Sequence, residues 1–301
     1  MDYKLSICVI TMNRAAQLQE ALESCLACNL PKETEFVIID NASTDATAQA
    51  VTTTLAHCGY SYYYEKLPQN LGVGGGRNYA FSKASGEYVY ALDDDAVIAA
   101  EENPDFFIKA IGKMDQAPDI ITLTTQIYDT VWQENRVAPG KTQLKNGLLL
   151  CKMFCGGSHF LRKSFFDTAP YLPNKYNYEE IPPSLRVIDS GKLNVFYPEL
   201  LVIHKPAINK WDWSEEKNHS LRITSLASLY AIKKMMYPAI CTPLLWAAMQ
   251  IRLYRSARMV PNASSRFRHE VKTICAQYPI RNKIKLSTVW YLVKHFGLSA
   301  F

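Results

Sequence analysis

The sequence predicts an α/β fold built on a parallel sheet covered on both faces, followed by a helical C-terminal region. Three observations carry this. Short apolar runs alternate with stretches of helical spacing through roughly the first hundred residues. The runs are almost continuously apolar, as strands buried on both faces are. After about residue 216 the alternation stops, and helical segments broken by Pro238, Pro243, Pro261 and Pro279 take over.

In order, Leu5–Ile10 is the first strand and Ala15–Cys28 has helical spacing. Glu35–Ile39 is the second strand, and Asp45–Cys58 reads as a helix with Thr44 or Asp45 as its cap. Tyr60–Glu65 is a third strand, Gly76–Ala84 a helix and Tyr88–Leu92 a fourth strand. Ile120–Phe166 holds further strands with a loop around Gly140–Gly147, and residues 205–236 shift to helix. The expected division is an α/β domain over 1–215 and a helical, basic region over 216–301.

A chain of 301 residues, 48% hydrophobic with a net charge of +5, buries a sizeable core and is not of the disordered class. The charge is uneven. From Arg252 onward there are ten Lys and Arg against one acidic residue, Glu270, so the body is net acidic and the tail strongly basic. Such a tail needs an anionic partner or a solvated face. It carries no nucleic-acid recognition motif, so nucleic acid is not an expected partner.

The eight cysteines include one CxxC, Cys25 and Cys28, inside a helical stretch and without a second pair at zinc spacing. Buried thiols in a reducing cytoplasm are the expectation. The run Tyr237–Ile251, interrupted by two prolines, is too short to span a bilayer and suits a membrane surface.

Polar residues cluster where the predicted strands end: Thr11 and Asn13, then Asp40 and Asn41, then Asp93, Asp94 and Asp95. Open parallel sheets bind ligands at those ends, so three polar ends in succession imply a shared crevice. Three adjacent carboxylates repel one another unless a cation sits among them. A divalent ion bridging a diphosphate answers that, and a solvated acidic turn is the plainer alternative.

Four segments, VITMNR (Val9–Arg14), IIDNASTD (Ile38–Asp45), NLGVGGGRN (Asn70–Asn78) and LDDDA (Leu92–Ala96), resemble in order and spacing the motifs of inverting family 2 glycosyltransferases. The likeness covers roughly residues 4–205 and is strongest to rhamnosyltransferase-like and galactofuranosyltransferase-like members. It implies the GT-A fold, a Rossmann-like nucleotide-binding layer with a mixed central sheet. It also implies a UDP- or dTDP-sugar donor, Mn²⁺ or Mg²⁺, and a saccharide or lipid-linked saccharide acceptor in bacterial surface-polysaccharide synthesis.

Carried onto this chain, the resemblance places Thr11, Asn13, Asp40 and Asn41 on the donor base and ribose, with Asp94 also on the donor side. The glycines around Gly74 let backbone approach the donor, and Arg77 neutralises its diphosphate. Asp93, Asp95 and His204 hold the metal. In the second half, CGGSHFLRKSFFD (Cys155–Asp167), YEEIPPSLR (Tyr178–Arg186) and YPELLVIH (Tyr197–His204) keep the family's register. Gly156 and Gly157 then lie near the sugar, and Glu179 and Glu180 form the acid pair, with Glu180 favoured as base.

Two departures stand out: Glu180 replaces the usual aspartate, and Pro182 stands at a further acidic position. An acidic first-turn cap is the alternative for the glutamates. Trp211 and Trp213 are candidates to stack on the acceptor sugar, or else pack internally.

Inverting transfer needs a base for the acceptor hydroxyl and stabilisation of the departing diphosphate. A nucleotidyltransferase also uses paired aspartates on an α/β fold but does not need Glu179 and Glu180. A catalytically silent nucleotide-sugar-binding protein would not need Asp93, Asp95, Glu180 and His204 together. For the tail, Arg252, Arg255 and Arg258 with Trp246 and Trp290 suggest a peripheral anchor on an anionic membrane at the inner face of the cell. A helical cap packed on the α/β domain is the alternative.

Overall fold

The apolar runs of the first half become the parallel part of one mixed sheet. In the computed structural model β1 (Tyr3–Thr11), β2 (Thr34–Asp40), β3 (Ser61–Lys66) and β4 (Gly86–Asp93) run parallel in the order β3-β2-β1-β4. The structure describes residues 3–136, 142–144, 146–167, 169–174, 177–206, 215–257, 260–280 and 282–301, with 215–220 as backbone only.

The sheet continues through β5 (Ala96–Ile98), β6 (Ile120–Asp129), β7 (Glu134–Asn135), β8 (Leu149–Leu150), β9 (Ser158–Arg162) and β10 (Leu193–His204). Strand β9 lies antiparallel between β4 and β6, β10 is parallel to β6, and β5 is antiparallel along β10. The second half therefore breaks the purely parallel pattern, and β10 returns its C-terminal end to the end of β4.

Side chains alternate across β1, β2 and β4. Leu5, Ile7, Val9, Phe36, Ile38, Tyr88 and Tyr90 face one core. There they meet Leu18 and Leu22 of α1 (Ala15–Leu26) and Phe106 and Phe107 of α4 (Phe106–Asp115). Cys8, Val37, Ile39 and Val89 face the other core with Ala80 and Phe81 of α3 (Gly72–Lys83). Both faces are covered, which is why the strands read as continuous apolar runs. Each fully buried Leu, Ile or Phe contributes about 1.5–3 kcal/mol.

Helix α2 (Thr47–Leu55) is shorter than expected, and Asp45 Oδ1 accepts from the Thr47 N–H at 3.2 Å just before it. Helix α3 starts at Gly72 rather than Gly76, so the expected glycine loop is its first turns. Gly72 has φ +74°, a Cβ on Gly74 would overlap the Leu172 carbonyl oxygen, and one on Gly76 would come within 2.7 Å of Asn41 Nδ2. These glycines let the helix lie flush on the 172–174 segment and on Asn41. The cysteines are free, and burial raises the Cys25 thiol well above its ordinary value, as suits a structural residue.

A second core joins α5 (Ile181–Asp189) to α6 (Glu215–Met236), α7 (Thr242–Ala257), α8 (Ala263–Gln277) and α9 (Leu286–Phe296). Leu185 and Ile188 pack there with Tyr230, Met249, Phe267 and Leu292. Among the described residues no helix is long and apolar enough to cross a membrane.

Candidate active site

Strand β4 ends at Asp93 and turns directly into β5, so three carboxylates leave the sheet together. Thr11, at the neighbouring end of β1, donates its hydroxyl to Asp94 Oδ2 at 2.8 Å. Arg14 Nη1 bridges Asp94 Oδ1 and Asp95 Oδ2, each at 2.7 Å. Burial pushes the Asp94 carboxyl up to about 6 against the pull of Arg14, with the Asp95 charge adding to the rise.

His204 closes the cluster from the end of β10. Its Nε2 lies 3.2 Å from Asp95 Oδ1, and its Nδ1 lies 3.0 Å from Asp129 Oδ2. Ligand atoms of Asp93, Asp95 and His204 all lie within 4.8 Å of one another. Two carboxylates and an imidazole suit a divalent cation of the Mn²⁺ or Mg²⁺ kind. Burial would hold the Asp93 carboxyl high, but Arg77 and then His204 outweigh it and keep it below the usual carboxylate range.

Asp129 was not anticipated, although it ends β6 as Asp93 ends β4. It is 1% exposed, and its Oδ1 accepts from the N–H groups of Val131 and Trp132 at 2.9 and 3.0 Å. The carboxylate thus fixes the ring of His204 and leaves Nε2 directed at the acidic cluster, the arrangement that orients metal-bound imidazoles. Asp129→Asn keeps the backbone bonds but loses the charge behind the ring. It is expected to weaken Mn²⁺ binding about 10–100-fold, read by electron paramagnetic resonance of free Mn²⁺. Wild-type affinity in that variant would leave Asp129 as a turn residue only.

Arg77 sits between the acidic cluster and the glutamate pair. It is buried, with Nη2 donating to Asp93 Oδ1 at 2.6 Å and Nη1 to Glu179 Oε1 at 2.5 Å. Its charge is balanced by these two carboxylates. Arg136, also unanticipated, is the more exposed cation: its guanidinium lies 3.4 Å from His204 and 3.6 Å from Asp129. Arg136 carried no signal in the sequence beyond being basic.

Glu179 and Glu180 occupy different environments. Glu179 is 4% exposed and bound to Arg77, and its Oε2 has no hydrogen-bond partner among the described residues. Glu180 is the N-cap residue of α5 and half-buried. Burial and the neighbouring Glu179 charge push its carboxyl up to about 8, against Arg77. The preceding Asn177 and Tyr178 both have positive φ, +65° and +66°, so the turn that delivers the glutamates is strained. Gly156 and Gly157 thread between these groups. A Cβ on Gly156 would strike the Glu180 carboxylate, and one on Gly157 would lie 3.0 Å from Asp93 Oδ2.

The remaining predicted donor residues also lie at the strand ends. Asp40 accepts from the Ser43 N–H at 2.7 Å and the Tyr64 hydroxyl at 2.8 Å. Asn41 makes long hydrogen bonds to Gly72 and Leu71, and Asn13 Oδ1 accepts from the Thr44 N–H at 2.7 Å. These side chains brace the loops after β1 and β2 around the crevice. Gly74 faces the 172–174 segment. Trp211 and Trp213 lie outside the described residues.

Known proteins share this fold. A mannosyltransferase from Pyrobaculum calidifontis, solved in complex with GDP-Man and Mn²⁺, superposes with a TM-score of 0.60 at 17% identity, over 99% of this chain and 81% of that one. S. aureus TarS 1-349, solved in complex with UDP-GlcNAc, gives 0.61 at 16% identity, over 99% and 89%. At such identities the likeness establishes the fold, which is GT-A.

In sequence, the chain is 33% identical over 92 residues to a GalNAc(5)-diNAcBac-PP-undecaprenol beta-1,3-glucosyltransferase of Campylobacter jejuni. That match spans 31% of this chain and 29% of the relative. Residues 6–169 match the sequence model of glycosyl transferase family 2. With more than half of the chain matched and the GT-A sheet carrying its acidic cluster at the strand ends, this protein belongs to glycosyl transferase family 2.

Proposed function

We propose that this chain transfers a hexosyl group, with inversion, from a UDP- or dTDP-sugar to a hydroxyl of a saccharide or lipid-linked saccharide. The observation that carries the reading is the convergence of Asp93, Asp95 and His204 beside a glutamate whose carboxyl is tuned to about 8. Asp93, Asp95 and His204 would hold a divalent cation, which would supply positive charge at the donor diphosphate. Glu180 takes the proton of the acceptor hydroxyl as its oxygen bonds to the anomeric carbon. The bond from that carbon to the diphosphate oxygen breaks in the same step, and its electron pair leaves with the nucleoside diphosphate. Arg136 is the cation placed to meet the diphosphate, and Arg77 holds Asp93 and Glu179 in position. Polysaccharide or lipid-linked oligosaccharide assembly is the setting that the Campylobacter relative's substrate suggests.

A thermal-shift panel of UDP-, dTDP- and GDP-sugars with Mn²⁺ or Mg²⁺ tests this. A nucleotide-sugar specific for the folded protein raises its apparent stability. The expected result is a metal-dependent rise with a UDP- or dTDP-sugar, followed by release of the nucleoside diphosphate when acceptor is present. No rise with any of them overturns the reading.

We also propose that the C-terminal region rests on the membrane surface at the inner face of the cell. Leu244, Ile251 and Tyr254 are exposed along one face of α7, with Ile240 just before it and Arg255 beside them. Trp290 and Leu298 are exposed as well. Trp246 contributes less than the sequence suggested, because its ring packs on Tyr230 and Phe267. Arg258 lies outside the described residues. Full-length protein is expected to float with anionic liposomes, less so in high salt, and the Leu244→Glu/Ile251→Glu variant is expected to remain below. Point substitutions serve better than truncation, because α7–α9 complete the second core. Equal flotation of both proteins removes the anchor and leaves the chemistry untouched.

A further inference from the structure

The end of β4 brings Asp93 to one side of the crevice, and the turn before α5 brings Glu179 and Glu180 to the other. One side chain joins the two sides. Arg77, in the second turn of α3, donates from Nη2 to Asp93 Oδ1 at 2.6 Å and from Nη1 to Glu179 Oε1 at 2.5 Å. The two arms of one planar fork therefore engage two carboxylates that lie far apart in the chain. Glu180 is close to the same guanidinium, since a side chain at Gly156 would strike both. A lysine could not make this bridge, because an ammonium is a point charge without the fixed spread of the fork.

The two ends of the bridge differ. The Glu179 side chain is 5% exposed and the Asp93 side chain 26%. The buried end is braced. The Tyr171 ring lies over the Arg77 guanidinium, with 5.9 Å from its centroid to Cζ. Asn78, next to Arg77 on α3, accepts from the Tyr171 N–H at 2.9 Å and donates to the Tyr171 carbonyl at 2.8 Å. Leu172 then donates its N–H to the Glu179 carbonyl at 3.1 Å. The segment that covers Arg77 thus also ties down the glutamate turn, and the Asp93 end is the one open to the crevice. Asp93 has a second claim on its charge. Its ligand atom lies within 4.8 Å of those of Asp95 and His204, so a cation bound there competes with Arg77 for the same carboxylate.

We infer that Arg77 is a positioning residue that couples the cation site to the glutamate turn: it relaxes its hold on Asp93 when a cation binds there and tightens on Glu179. The inference rests on the metal-dependent transfer reading and deepens it, because the geometry of the base turn then depends on the cation. The coupling is reciprocal, so a turn locked on Arg77 favours the cation by the same factor as the cation favours the lock. Glu179 thereby has a part that is neither base nor ligand.

Hydrogen–deuterium exchange of the full chain with and without Mn²⁺ tests it, with Mn²⁺ occupancy read by electron paramagnetic resonance on the same samples. In wild type, saturating Mn²⁺ is expected to slow exchange about fivefold or more at the N–H groups of Leu172 and Ile181, which are bonded to the carbonyls of Glu179 and Tyr178. Arg77→Lys keeps the charge and loses the fork, so at saturating Mn²⁺ its slowing is expected only around Asp93 and Asp95. Glu179→Gln breaks the other end of the bridge and is expected to give the same confined pattern, with Mn²⁺ bound about fivefold or more weakly. Glu180→Gln leaves both bonds of the bridge in place and is expected to keep the wild-type response. Thermal melts without metal report which variants are folded; either bridge variant suffices, and the wild-type comparison needs neither. Wild type that binds Mn²⁺ with no change at Leu172 and Ile181 overturns the coupling and leaves the metal reading standing. So does a wild-type response in a folded Arg77→Lys or Glu179→Gln protein. Wild type that binds no Mn²⁺ overturns the metal reading, and the coupling with it.

Discussion

Asp95→Asn is expected to lower turnover about 10²-fold or more, a loss near 2.7 kcal/mol in transition-state stabilisation. Asp95 Oδ1 lies 3.2 Å from His204 Nε2, and its Oδ2 is held by Arg14. The substitution is isosteric and keeps a hydrogen-bonding oxygen, so it removes charge without changing shape. Two consequences separate a ligand from a structural acid. The variant needs more Mn²⁺ for half-maximal turnover, because one of three charged or basic ligands is weakened. It is also expected to melt close to wild type, because an amide at 95 relieves repulsion with the buried Asp94, whose carboxyl is already pushed up to about 6. Steady-state kinetics over a Mn²⁺ titration, with thermal melts beside them, check both. Full wild-type turnover in excess EDTA would sink the metal assignment altogether.

Much of the fold and the grouping of Asp93, Asp95 and His204 was legible because both depend on local signals. A strand buried on both faces reads as an unbroken apolar run, so β1, β2 and β4 were found and their polar ends aligned. The Asp93, Asp95 and His204 grouping followed from the motifs, and the sheet brings the ends of β4 and β10 together. What the sequence did not show was what depends on a third dimension. The role of Arg77 turns on its burial between Asp93 and Glu179, residues far apart in the chain. Asp129 carried the same signal as Asp93, an acid closing an apolar strand, but its meaning required the neighbouring His204. The glycines of α3 read as a loop because Gly favours irregular backbone. Their real constraint is the carbonyl of Leu172, some hundred residues away. Strand β5 was missed because it is only three residues long and follows the acidic turn without a break.

Glu180→Gln is expected to cut turnover by about 10²–10⁴-fold, the usual cost of losing a general base. The amide keeps the volume and accepts hydrogen bonds but cannot take the acceptor proton. Donor binding is expected to survive, so the nucleotide-sugar thermal shift with Mn²⁺ remains near that of wild type. The pH dependence carries a second signature. A base acts in its deprotonated form, and the Glu180 carboxyl lies at about 8, raised first by burial and then by the Glu179 charge. Below that value most of it is protonated and inactive. Wild-type kcat/KM is therefore expected to rise with pH and level off above about 8, and this rise is absent from the residual activity of Glu180→Gln. Glu179→Gln should behave differently: it removes a partner of the buried Arg77, so it lowers Tm more than Glu180→Gln does. It should also bring the Glu180 midpoint down, because one of the charges that raise it is gone. Near-normal turnover in Glu180→Gln beside a well-folded but inactive Glu179→Gln would shift the base by one residue, onto the carboxylate whose Oε2 has no hydrogen-bond partner among the described residues.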